Sequence, residues 1–216
     1  MEQLSQFLVL IFQLVVLIFS IMVHEISHGA VAYYLGDDTA KRMGRLTLNP
    51  LKHIDPVGSI ILPLLLSIPR LFGLPTIIIG WAKPVPYDPR NLKNQKLGTG
   101  LIGLSGPGSN LILAVIFAIF TRIAADFQLN SGLIIAFQAI ILINLMLAIF
   151  NLVPIPPLDG SRILFALLPR GYLGFYQFLE RNSLVLILLF ILLGIPYLGQ
   201  LVVFVHFSLL RLVGLP

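Results

Sequence analysis

Residues 3–23, QLSQFLVLIFQLVVLIFSIMV, hold no ionisable group, and His24-Glu25-Ile26-Ser27-His28 follows without a turn signal. The apolar character then resumes through Ala30-Val31-Ala32-Tyr33-Tyr34-Leu35 until Gly36-Asp37-Asp38 stops it. A run of this length crosses a bilayer as a helix, for which about 20 residues suffice. The stretch therefore reads as one long membrane helix interrupted by a polar cluster. Counted back from Gly36 at about 1.5 Å per residue, the two histidines lie roughly 12–18 Å inside the helix end, where an unpaired charge costs several kcal/mol. Three ionisable groups in five residues at that depth require a physical reason.

The remaining sequence has the same character. Of 216 residues, 57% are hydrophobic and 11% charged, against roughly a quarter charged in soluble domains. Fourteen Lys and Arg with nine Asp and Glu cannot coat a soluble surface of this size, so an ordinary water-soluble fold is excluded. Uncharged runs at 97–121, 127–158 and 182–210 each reach spanning length. With the first helix they predict an all-α polytopic membrane protein with four transmembrane helices. A fifth apolar region, 57–79, is broken by Pro69-Arg70 and Gly73-Leu74-Pro75 into two short legs and predicts a re-entrant or interfacial hairpin. The last run is interrupted at Gly194-Ile195-Pro196, which allows either a kinked single helix or two short ones. Residues 80–90, GWAKPVPYDPR, carry three prolines and predict a short extended, β-like segment. The whole, 1–216, reads as one domain with a core at about 20–165 and a C-terminal membrane segment at 183–210.

The net charge of +5 is spread among apolar stretches rather than clustered with aromatics, which argues against nucleic acid. Lys41, Arg42, Arg45 and Lys52 precede the hairpin, and Lys83, Arg90, Lys93 and Lys96 follow it, so both loops are expected on the cytoplasmic side. Arg162, Arg170 and Arg181 join them if 101–121 and 133–152 form an out-and-back pair. An integral, multi-pass protein of the cell membrane follows, with its polar cluster nearer the cytoplasmic face. The n-region has Glu2 and no Lys or Arg, so the first helix is expected to be retained rather than cleaved as a signal peptide.

Cysteine is absent, which leaves His and carboxylates as the strong metal ligands. Residues four apart share a helix face, so His24 and His28 can offer two imidazoles to one metal while Glu25 addresses the adjacent water. Catalytic zinc takes three protein ligands and a water, so a distant residue must supply the third. Asp159 is the candidate: it follows Asn151-Leu152-Val153-Pro154-Ile155-Pro156-Pro157-Leu158, where three prolines end a helix and let the chain fold back. The alternative is that Asp159 only caps a short helix from Ser161 to Leu168.

His24-Glu25-x-x-His28 in a membrane helix, together with Asn151-x-x-Pro154-x-x-x-Leu158-Asp159-Gly160, resembles the site-2 protease family of intramembrane zinc metalloproteases. Ser105-Gly106-Pro107-Gly108-Ser109-Asn110, Asn49-Pro50-Leu51-Lys52-His53-Ile54-Asp55-Pro56 and Gly80-Trp81-Ala82-Lys83-Pro84-Val85-Pro86 add support, and the likeness runs from about residue 20 to 165. The resemblance implies that His24, His28 and Asp159 bind one zinc ion, that Glu25 is the catalytic base, and that Asn151 lies near the scissile bond. It also implies a transmembrane protein as substrate, in a compact form without a PDZ or CBS domain.

Two other readings stand beside it. One is a non-catalytic, metal-binding scaffold that binds transmembrane helices, although a structural site has no need of Glu25. The other is a metal or proton transporter, for which 97–121 and 182–210 offer almost no ionisable path. His53, in a loop beside Asp55, is either solvated, capping, or part of a substrate-binding or supporting shell. Asn151 is either substrate-facing or satisfies carbonyls freed by Pro154. Asn144 reads as an interhelical hydrogen bond, Gly106 and Gly108 as close packing, His206 as interfacial or packed, and Trp81 and Tyr87 as interface residues. Oligomeric state is not legible.

Overall fold

The computed structural model describes residues 2–71 and 80–215. Helix α1, Glu2–Tyr34, runs unbroken through the polar cluster, because no proline interrupts it and its only interior glycine is Gly29. It ends where Gly36 takes φ +110°, a conformation open mainly to glycine. There the Asp37 amide donates to Ala32 O at 2.9 Å and the Gly36 amide to Tyr33 O at 3.1 Å, closing the last carbonyls as a Schellman turn does.

The released chain is tied down by Asp37, which is fully buried. Its carboxylate accepts from the Thr39 hydroxyl (2.6 Å), the Asn91 side-chain amide (2.7 Å) and the Asp88 backbone amide (2.8 Å). Burial opposes its ionisation, but the Thr39, Asn91 and Asp88 hydrogen bonds outweigh that and hold its pKa below the ordinary value. The end of α1 is thereby joined to the segment that leads into the second span. A single turn, α2 (Thr39–Arg42), lies between them.

Asp55 then caps a wide helical turn, Pro56–Ile61, by accepting from Val57 N and Gly58 N at 3.0 and 2.8 Å, with Pro56 at the first position where a missing N–H costs nothing. That turn continues into α3, Leu62–Leu71. Pro69 sits inside α3, so the break expected at Pro69-Arg70 is corrected: the helix runs past it to Leu71, without the N–H that would otherwise bond Leu65 O. Within the described residues this first leg of the expected hairpin is shorter than a span needs. Gly73-Leu74-Pro75 and the second leg lie outside the described residues.

Residues 80–88 run extended, and among the described residues no strand ladder forms. The segment is fixed through alternate backbone groups instead. Trp81 N donates to Gly58 O (3.0 Å) and Lys83 N to His53 O (2.8 Å), Ser59 Oγ donates to Trp81 O (2.7 Å), and the buried Arg45 guanidinium spans Lys83 O (2.6 Å), Pro84 O (3.2 Å) and Lys52 O.

Asn94 caps α4, Gln95–Asp126, and Asn130 caps α5, Ser131–Asn151. The prolines at 154, 156 and 157 stop α5, and α6, Asp159–Leu167, begins directly after them. An amphipathic α7, Leu173–Arg181, leads to α8, Ser183–Leu189, which joins α9, Ile195–Leu212, through a wide helical turn at Phe190–Gly194. The interruption at Gly194-Ile195-Pro196 is therefore a local widening of one helical path, as bulged turns are. Among the described residues, four helical segments, Phe7–Tyr34, Gln95–Asp126, Ser131–Asn151 and Ser183–Leu212, are long and apolar enough to cross a membrane.

Helix α4 is the hub, packing most extensively on α5, α1 and α6. The burial pattern is inverted relative to a soluble protein. Ser20, His24, His28, Asn110, Thr121, Asn144 and Asp159 are buried, while Leu, Ile, Val and Phe side chains of every span face outward. Polar groups that cannot face hydrocarbon are gathered inside.

Candidate metal centre

The polar residues converge where α1, α4 and α6 meet. His24 and His28 lie one turn apart, their rings in edge contact at 4.6 Å. From α6, Asp159 Oδ2 comes to 3.0 Å from His24 Nε2 and 3.1 Å from His28 Nε2. Ligand atoms of His24, Glu25 and His28 also lie within 4.8 Å of one another. Asp159 does not cap its helix: Leu158 holds that position, without a side-chain bond. The Asp159 carboxylate instead turns Oδ1 to Arg162 at 3.0 Å, and the Arg162 guanidinium lies over the Tyr87 ring at 5.4 Å.

Two glycines permit this approach. A Cβ on Gly106 of α4 would fall 2.5 Å from both His24 Nε2 and His28 Nε2. A Cβ on Gly160 would fall 2.2 Å from Leu152 O, so only glycine lets α6 start against the end of α5. Gly100 and Gly103, on the same α4 face, carry α6 at Ala166 and Arg162.

The donor set fits a cation. His28 Nδ1 is 2.6 Å from Ile102 O; a carbonyl only accepts, so Nδ1 carries the proton and Nε2 presents its lone pair. His24 Nδ1 lies 2.6 Å from Asn110 Oδ1 and follows the same logic. Two lone pairs and a carboxylate oxygen then face one another about 3 Å apart, an arrangement that repels itself unless a positive ion lies between. Ligands placed tetrahedrally about 2.0–2.1 Å from zinc are separated by a little over 3 Å. Two imidazoles and a carboxylate without thiolate match catalytic rather than structural zinc.

Glu25 is half-buried beside this cluster, and its Oε2 accepts from Val85 N at 2.8 Å, which leaves Oε1 to take a proton. The extended segment thus reaches the centre through a backbone amide that the sequence does not single out. Asn151 is not drawn into the cluster: its Nδ2 donates to Leu147 O in its own helix at 2.9 Å. His53 is buried rather than solvated, its Nε2 donates to Thr47 O at 2.9 Å, and among the described residues its Nδ1 has no partner. It lines a small cavity with Ile21, Ser59 and Ala82, beside the extended segment. Gly106 and Asn110, read from sequence as packing and as part of a softer motif, lie on α4 against the imidazoles, beside the Ile102 carbonyl. Their signal was the Ser105–Asn110 motif itself, which says nothing about which helix it will face.

Residues 119–193 match the model of peptidase family M50, a stretch that takes in Asn151 and Asp159. YwhC of Bacillus subtilis (strain 168), provisionally named a zinc metalloprotease, is 43% identical over 163 residues, covering 73% of this chain and 69% of that protein. Rip2 of Mycolicibacterium smegmatis, provisionally named likewise, is 33% identical over 144 residues, covering 65% of this chain and 51% of Rip2. The zinc metalloprotease MJ0392 of Methanocaldococcus jannaschii is 36% identical over 80 residues, covering 37% of this chain and 23% of its own length. The chain therefore spans about two thirds of YwhC and half of Rip2. No solved structure matches it. With four apolar helices, a buried histidine–carboxylate centre and the likeness to YwhC, the chain belongs to peptidase family M50, the zinc-dependent site-2 proteases of membranes.

Proposed function

We propose that the chain is a zinc-dependent endopeptidase that cuts peptide bonds in or near transmembrane segments of membrane proteins, with His24, His28 and Asp159 as zinc ligands and Glu25 as general base. The observation that carries this reading is the meeting of Asp159 Oδ2 with both Nε2 atoms, 3.0 and 3.1 Å away, beside a carboxylate that is not among the three. A bound zinc ion supplies a polarised carbonyl and a water with a pKa lowered to about 7. Glu25 Oε1 takes the proton of the attacking water and passes it to the leaving amine. The Val85 amide holds the other carboxylate oxygen and sets the direction of Oε1. A scaffold that binds helices without cutting them would leave this carboxylate with no task.

A substrate helix has its amides bonded internally and must unwind before it is cut. The extended segment receives the unwound strand by strand addition in this reading. Alternate amides of an extended chain point to opposite edges. Trp81 N and Lys83 N are used inwardly, Pro84 and Pro86 have no N–H, and the outer edge therefore offers the Ala82 N–H as its donor. His53, in the cavity beside Ala82, supports this segment from behind through its carbonyl bond to Lys83. The basic loops on either side of the short helical leg support a centre nearer the cytoplasmic face of the cell membrane.

Cleavage of a single-span membrane protein by the purified chain in lipid tests both statements. Ala82→Pro is expected to lower the cleavage rate about tenfold, the loss of one backbone hydrogen bond to a strained substrate being worth about 1–1.5 kcal/mol, with zinc content unchanged. Unchanged cleavage would remove the docking role. Val85→Pro is not a substitute, because it strips the hydrogen bond from Glu25 instead.

A further inference from the structure

Behind the metal centre lies a second polar cluster that neither the zinc ligands nor the base account for. Ser20 of α1, Asn110 of α4 and Asn144 of α5 are all buried, the two asparagines completely. Their hydrogen bonds form a relay of fixed direction. Asn144 Nδ2 lies 2.9 Å from Ile140 O, and a carbonyl can only accept, so this end of the Asn144 amide is the donor. The same Nδ2 also donates to Ser20 Oγ at 3.0 Å. Asn144 Oδ1 therefore faces Asn110, whose Nδ2 donates to it at 2.9 Å and to Ser20 O at 3.3 Å. Asn110 Oδ1 is left pointing at His24 Nδ1, 2.6 Å away, and can only accept there. His28 has its proton placed by a backbone carbonyl directly; His24 reaches the same state through two side-chain amides anchored on the carbonyls of Ile140 and Ser20.

We propose that Asn110, itself oriented by Asn144, is the positioning residue that holds the His24 proton on Nδ1 and turns Nε2 toward the metal. This rests on the zinc centre proposed above. Partners of this kind, bonded to the outer nitrogen of a metal-binding imidazole, fix its tautomer and ring direction, and their loss typically weakens metal affinity 10–100-fold. The relay also links three helices at one point: an amide in α5 sets the tautomer of a ligand in α1 through α4.

The test is zinc affinity by chelator competition on the purified chain, read beside thermal stability. Asn110→Leu, close in volume but without an acceptor, is expected to weaken zinc binding 10–100-fold. Asn110→Asp keeps the acceptor toward His24 but loses the donor to Asn144 Oδ1 and Ser20 O, and is expected to weaken zinc binding clearly less than Asn110→Leu does. Asn144→Leu, which frees the Asn110 amide to flip, is expected to weaken zinc binding, and adding Asn110→Asp to it to restore most of the loss. That pair also carries the test should Asn110→Leu fail to fold. Unchanged affinity in Asn110→Leu, or equal damage from Leu and Asp at 110, would overturn the inference while leaving the zinc centre standing. An unaltered chain that takes up no zinc would overturn both.

Discussion

Glu25→Gln is expected to keep zinc at the level of the unaltered chain and to lower cleavage by roughly 10²–10⁴-fold, the usual contribution of a positioned general base. Zinc should stay because the three converging atoms belong to His24, His28 and Asp159, not to Glu25. The geometry should stay as well: a glutamine oxygen can still accept from Val85 N, which now lies 2.8 Å from Glu25 Oε2. What disappears is the capacity of the second oxygen to take a proton. Metal analysis and a cleavage assay on one preparation check this, and full activity in the variant would contradict the role given to Glu25.

Gly106→Ala is expected to weaken zinc binding at least about 100-fold and to abolish cleavage with it. Its methyl would lie 2.5 Å from His24 Nε2 and His28 Nε2, closer than carbon and nitrogen can approach. Neither ring can swing aside, since His24 Nδ1 is held by Asn110 and His28 Nδ1 by Ile102 O, both at 2.6 Å. The strain therefore falls on the ligand nitrogens or on the α1–α4 contact. Gly108→Ala, two residues on, is the control, because nothing lies within 4 Å of that position and alanine favours a helix by about 1 kcal/mol over glycine. Equal zinc affinity in the two variants would show that the α4 face does not press on the ligands.

The membrane helices were legible because hydrocarbon tolerates few ionisable groups, so uncharged runs mark spans almost directly. Their ends were less legible. Helix α4 starts before the uncharged run and passes Arg122 at its end, since Arg122 pairs with Asp126 at 2.8 Å one turn later and so costs the helix little. Pro69 reads as a breaker, yet α3 continues through it to Leu71, since a proline within a helix can be carried at the loss of one hydrogen bond. The facing of His24 and His28 follows from helical spacing alone, and the return of Asp159 from the prolines that end α5. Gly106 and Asn110 are another matter. Their place beside the imidazoles depends on which face of α4 meets α1, a tertiary fact with no local signature. His53, a loop histidine beside Asp55, reads as solvated, capping or part of a supporting shell; the loop folds against α1 and buries it, which excludes only the first of these.

Zinc content and cleavage measured together on the purified chain in lipid bear most directly on the central claim. The account predicts about one zinc ion per chain, cleavage of a single-span membrane protein in or beside its membrane segment, loss of cleavage when the metal is stripped by a chelator, and its return when zinc is added back. A chain that cuts the same substrate equally well with its metal removed would contradict it.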